Sequence, residues 1–245
     1  VRQRLAQVEP ERPVAAGRKY ANINYTLFDY MPTFLNPNAD IAPPPAGLSV
    51  EEYDAYYRAE GAKVHIRHLR KRLFDPIGVN VSCNDPTHTG DNYARNYGGR
   101  NDTKEGYLVN TTDETGCAVG GIVLSPAGML KFLHAVSLTD TLVSRDTWAL
   151  MARDSVERYG WPQRPDVRQD PSVGGEYNGG LAYGHSGARW SGKAKGQVYI
   201  FPNGMSAVAV ANSRARDGAP KLGTVLLDAY DRLIPQTAQS QASLN

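Results

Sequence analysis

The chain has 245 residues, 27 Lys+Arg against 25 Asp+Glu, a formal net charge of +2 and 41% hydrophobic residues. That length allows one large domain or two smaller ones, each able to bury a core. The near-balance of charge gives no electrostatic footprint for nucleic acid, and no apolar run approaches the ~20 residues of a membrane-spanning helix.

Val1 to Lys19 is polar and carries no charged-then-apolar signal segment. Ile23, Leu27 and Tyr30 then recur at helical spacing, with Pro32 as a stop. Asn36 to Gly47 contains Pro43-Pro44-Pro45 and reads as a stiff surface loop. Ser49 with Glu52 three residues on is a capping-box signature. The spacing predicts a helix from there to Phe74, with Gly61 as a break and Asp75-Pro76-Ile77-Gly78 as its end.

Asn80 to Gly116 has no sustained periodicity and reads as a long loop. The only two cysteines, Cys83 near its start and Cys117 just after it, lie 34 residues apart. They are either a single bridge in an exported protein or two unrelated thiols. Asn-x-Ser/Thr sequons at Asn24, Asn80, Asn101 and Asn110 matter only in a eukaryotic secretory pathway.

Ser125-Pro126 is a cap followed by an N1 proline, and Met129, Leu130, Leu133 and Val136 form the stripe of the helix it starts. Ser144 caps a further helix through Trp148 and Met151. Gln197 to Phe201 and Met205 to Ala211 read as strands joined by the hairpin signal Asn203-Gly204. Pro220 to Ile234 closes the chain as an amphipathic helix. Helices first and strands later make the class α+β. The division falls between a mainly helical region, 1–176, and a region of antiparallel strands with a closing helix, 177–245.

The sharpest local signal is Gly184-His185-Ser186-Gly187-Ala188. Read as a nucleophile elbow it requires a histidine downstream. The histidines are 65, 68, 88, 134 and 185, so none follows Ser186 and the reading fails. Read as a strand lining a site, its glycines let a ligand backbone lie close, and the Ala188 N–H can polarise a carbonyl. A second signal is Tyr20-Ala21-Asn22, which places a phenol and an amide near a helix start. Trp190 either walls the site or packs in the core. His65 and His68, on a basic helix, read as a solvated face rather than a metal pair, and no cofactor is called for.

Taken together and in order, these segments resemble the serine β-lactamase and D-alanyl-D-alanine carboxypeptidase superfamily, on its class C β-lactamase and esterase side. Gly17-Arg18-Lys19-Tyr20-Ala21-Asn22 resembles the Tyr-x-Asn motif, and His185-Ser186-Gly187 the Lys-Thr-Gly or His-x-Gly motif. Leu73 to Gly78, Gly120 to Phe132 and Phe201 to Asn212 resemble stretches between and after them. The resemblance implies an antiparallel sheet flanked by helices, and a serine hydrolase acting through an acyl-enzyme on a small-molecule or peptide amide or ester. It implies Tyr20 as general base, His185 as a titratable cation, and Ala188 as an oxyanion donor. Asn22, Ser186, Gly187 and Trp190 would bind substrate.

The family's Ser-x-x-Lys motif is absent: no serine has a lysine three residues later. The implied reading is that the nucleophile lies outside this sequence, in a missing N-terminal part or a companion chain. The alternative is a non-catalytic penicillin-binding-like scaffold that has lost it. Secretion or a periplasmic location is the accompanying expectation.

Overall fold

Ser49 starts the first long helix as its neighbours require. Its hydroxyl accepts from the Glu52 N–H at 3.2 Å, and the Glu52 carboxylate accepts from the Ser49 N–H at 2.8 Å. Two donors that a helix start leaves unpaired are thus satisfied. The same backbone bond holds the Glu52 carboxyl below its ordinary range.

The structure, a computed structural model, describes residues 25, 27–28, 31, 41–83, 94, 97, 117–158, 166–171, 173–189, 194–213 and 218–234. The chain forms two compact units, Val1–Thr87 with Asn110–Leu124, and His88–Val109 with Ser125–Asn245. The class is α+β, with helices and antiparallel sheets.

In the first unit, helix α1 (Val50–Leu69) runs straight through Gly61. The expected break does not occur, because Gly61 and Ala62 are buried and their small size is used for packing. Ala62 lies in a cluster with Cys83 and Cys117, and Ile66 packs against it. Burial, with the His68 charge nearby, holds the His65 imidazole below its ordinary pKa. The helix widens into a π-helical turn, Arg70–Phe74, then a 3-10 turn, Asp75–Ile77. Gly78 ends it in the left-handed region at φ 62°, where glycine carries no Cβ penalty. Arg70 Nε donates to the Val81 carbonyl at 2.8 Å, tying the turn to the segment that follows.

Strand β1 (Ser82–Cys83) pairs antiparallel with β2 (Ile122–Val123), Cys83 opposite Ile122. Just before β2, a π-helical turn, Cys117–Gly121, brings Cys117 into a disulfide with Cys83, Cα to Cα 5.5 Å. Both sulfurs belong to buried residues.

In the second unit, helix α2 (Pro126–Ser137) starts on Ser125, whose hydroxyl accepts from the Gly128 N–H at 3.0 Å. Helix α3 (Arg145–Arg158) follows Ser144, whose hydroxyl accepts from the Thr147 N–H at 3.1 Å. Strands β3 (Val173–Tyr177), β4 (Gly180–Arg189), β5 (Ala194–Ile200) and β6 (Ser206–Ala211) form one antiparallel sheet in that order. Gly204, at φ 82°, turns β5 into β6 at the hairpin that Asn203-Gly204 announces. Helix α4 (Leu222–Leu233) closes the unit.

Successive strand residues point to opposite faces. On one face of the sheet Tyr177, Ala182, Tyr199 and Phe201 form a buried core with Leu227 and Tyr230 of α4. Phe201 and Tyr230 stack with ring centroids 3.8 Å apart. On the other face Tyr183, the neighbour of Ala182, meets Trp148 of α3 edge to face at 5.7 Å. Asp231 of α4 accepts from both the Tyr177 hydroxyl and the Arg168 guanidinium, and Arg168 also lies over the Tyr177 ring at 5.3 Å. Helix α4 is therefore tied to β3 by a hydrogen bond as well as by apolar packing, and to the segment before β3 by an ion pair. Among the described residues no helix is long and apolar enough to cross a membrane.

Two stability predictions follow from this packing. Replacing both Cys83 and Cys117 by alanine removes a link between residues 34 positions apart, and should cost about 3–4 kcal/mol by loop entropy. Guanidinium titrations of the two proteins check it; equal midpoints would contradict it. Burial raises the hydroxyl pKa values of Tyr177, Tyr199 and Tyr230, and the Asp231 and Asp170 carboxylates add to it. The folded chain therefore keeps these protons when the unfolded chain gives them up, so the stability is complete below pH ~10 and falls as pH rises beyond it. Urea midpoints measured from pH 8 to 11 should drop above about pH 10; a flat profile would contradict the assignment.

Candidate functional site

Strand β4 is ten residues long, and β3, its neighbour on one side, is five. Their pairing ends at Val173 opposite His185. On the other side β5 pairs with β4 to the end: Ser186 with Gln197, Gly187 with Gly196, Ala188 with Lys195, Arg189 with Ala194. Residues 186–189 therefore have a strand partner on one edge and, among the described residues, none on the other. In an antiparallel ladder alternate residues bond to a given neighbour. Two of these four residues thus turn their N–H and C=O groups away from β5.

Why glycines stand here differs from one position to the next. At Gly184 a Cβ would overlap the ring of Tyr199, its cross-strand partner, so packing forbids a side chain. At Gly187 and Gly196, which face each other, a Cβ would meet nothing within 4 Å. Neither has a positive φ, so neither conformation nor packing requires glycine. Continuing the register, Gly196 pairs with Val210 of β6, a residue 59% exposed. Gly187, Gly196 and Val210 thus share a face and form a bare, open shelf. His185 and Val198 form the next row on the same face, with His185 exposed.

Ser186 points to the opposite face, beside Gln197. Gln197 is 3% exposed, and its side-chain amide donates to the Val198 carbonyl at 3.3 Å. His185 and Ser186 are adjacent in one strand and aim to opposite sides, so they do not form a base–nucleophile pair. Gly187 and Ala188 are exposed, with Ala188 in the stretch that lies beyond the end of β3. Tyr20, Asn22 and Trp190 lie outside the described residues, as does most of the Asn80–Gly116 loop. The shelf residues Gly196 and Val210 and the buried Gln197 carry no sequence motif. They join the site only through the β4–β5–β6 register. Among the described residues no group of three His, Cys, Asp or Glu could hold a metal ion.

No family model matches the chain, and no curated protein matches it. Among solved structures, a crystal structure of SurE with D-Leu matches at 19% identity and a TM-score of 0.45, covering 99% of this chain and 48% of that one. The chain spans about half the length of the structure it matches.

The family resemblance drawn from the motifs is corrected by these findings. The structure found is SurE, not one named as a serine β-lactamase, carboxypeptidase or esterase, and no family model supports the assignment. The reading as an acyl-enzyme hydrolase with its nucleophile elsewhere falls with it, and the penicillin-binding-like scaffold is no better supported. Local structure explains why the motifs misled. Gly184, just before the motif, answers to the Tyr199 ring, and Ser125-Pro126 answers to the helix cap. Motifs of three to six residues are too short to separate such local needs from descent.

The two glycines should respond differently to one methyl group. Gly184→Ala is expected to destabilise by about 1–3 kcal/mol, because the methyl must displace the Tyr199 ring. Gly187→Ala should stay within about 0.5 kcal/mol of the parent. Thermal or urea unfolding measures both; a Gly187→Ala loss as large as that at Gly184 would show the shelf to be covered.

Proposed function

We propose that the chain binds a peptide, or a molecule with a peptide-like backbone, in extended conformation along the free half of β4. The observation that carries this reading is the overhang of residues 186–189 beyond β3. An unpaired strand edge offers a row of donors and acceptors that an extended backbone can pair with, the mode known as strand addition. The bare shelf of Gly187 and Gly196 leaves room for ligand side chains on one face. His185 would contribute a polar group to the same face, and Ser186 one to the other. In this reading Ala188 and Gly187 act through their backbone, and no metal or cofactor takes part.

A location outside reducing compartments is the companion proposal, supported by the disulfide between Cys83 and Cys117. Free-thiol titration of denatured, unreduced protein from its source should find none. Two titratable thiols would contradict it.

Binding is tested by titrating 15N-labelled full-length protein with an acetylated, amidated tetra-alanine peptide. The largest amide shifts should fall on residues 186–189. Gly187→Pro and Ala188→Pro give a sharper test. One of the two removes an N–H that bonds to β5 and the other an N–H that faces away, and proline is tolerated in a strand only in the second case. The variant that keeps its fold should bind the peptide at least tenfold more weakly. Unchanged affinity in that variant, or shifts confined to other regions, would contradict the proposal.

A further inference from the structure

On the Tyr183 face of β4 a cavity of about 420 Å³ opens between the end of α2, Trp148 of α3 and the turn after β5. We propose that this cavity binds a small, neutral molecule carrying an aromatic ring. The site is separate from the strand edge and does not rest on the reading above.

Three observations carry the assignment. The volume lies within the range of small-molecule sites. Among the described residues the lining is uncharged: Leu138, Trp148, Tyr183 and Ile200 give apolar surface, while Ser137 and Asn178 add polar atoms. A neutral ligand keeps no charge to be desolvated, which suits a lining whose described residues carry none. The rings of Trp148 and Tyr183 meet edge to face at 5.7 Å, yet both side chains remain only half-buried. A third ring entering the cavity would extend this arrangement and cover apolar surface that water now wets. The rim continues the character, since Leu138, itself in the lining, is 37% exposed and Met205, next to the lining residue Gly204, is 43% exposed.

The backbone that shapes the cavity is held in place. Asn178 occupies the left-handed region at φ 49° in the turn between β3 and β4. A Cβ on Gly204 would come within 2.9 Å of the Leu138 side chain, so the hairpin and the end of α2 fit closely. The Ser137 hydroxyl donates back to the Leu133 carbonyl at 2.7 Å, leaving its oxygen lone pairs as acceptors for a ligand donor.

The probe for the test is N-phenyl-1-naphthylamine, a neutral two-aryl amine. It is titrated into full-length protein carrying 13C-labelled isoleucine methyl groups, with Ile200 assigned from the Ile200→Val spectrum. Saturable binding with one site per chain is expected, and the Ile200 methyl signals should shift along the same isotherm. Absence of saturation up to the probe's solubility would overturn the proposal, and so would saturation that leaves Ile200 unmoved. Leu138→Asp places a carboxylate at the mouth, on a side chain already in contact with water. It should weaken binding at least tenfold in protein that remains folded, and equal affinity would overturn the proposal. If that variant fails to fold, the Ile200 readout on the parent protein decides the matter alone. The amides of residues 186–189 should not move with this probe, which separates its result from that of the peptide titration.

Discussion

The ring of Tyr199 seated over the bare backbone of Gly184 is the contact on which the second unit depends. A side chain at 184 would overlap that ring, so only a glycine opposite Tyr199 satisfies both strands. The ring is fully buried, and its hydroxyl donates to the Pro171 carbonyl. Tyr199 also touches Phe201, which stacks on Tyr230 of α4. One pairing therefore sets the β4–β5 register and the seat of the closing helix together. A slip of one residue would turn every side chain of β4 to the wrong face. His185 would then enter the core face and Ser186 the open one.

That register decides what the far end of β4 presents. Because Gly184 meets Tyr199, Gly187 must meet Gly196, and both fall on the face away from the aromatic core. Past the end of β3 the strand continues paired with β5 and, among the described residues, with no strand on its other edge. A half paired on both edges and a half paired, among the described residues, on one edge thus share one strand. The packed half holds the other at a fixed angle, which suits a binding edge better than a free loop would. The same alternation places Tyr183 against Trp148 and opens the neutral cavity further along the same face.

Much of the architecture was legible where its cause is local. The capping box at Ser49, the Ser125-Pro126 start and the Asn203-Gly204 hairpin each follow from a few adjacent residues, and each forms as read. The continuation of α1 through Gly61 was not legible, because burial against a distant element, rather than helix propensity, decides it. Strand β3 was missed for a similar reason. Its sequence, Val-Gly-Gly-Glu-Tyr, has the composition of a loop, and its pairing with β4 is interrupted by an irregularity between Val173 and Gly175. The candidate site was half legible. His185, Ser186 and Gly187 were singled out, but the vacancy beside Gly187 depends on Gly196 and Val210, which only the register brings near. The family assignment failed because it rested on motifs of three to six residues, too short to establish descent.

The claim that residues 186–189 form an uncovered edge is tested most directly by amide hydrogen exchange of the ligand-free protein. The account predicts that two alternate amides of the four exchange quickly, while the intervening pair and the amides facing β3 within 180–185 are protected. Protection of all four amides would show that the edge is already paired, and would contradict the account.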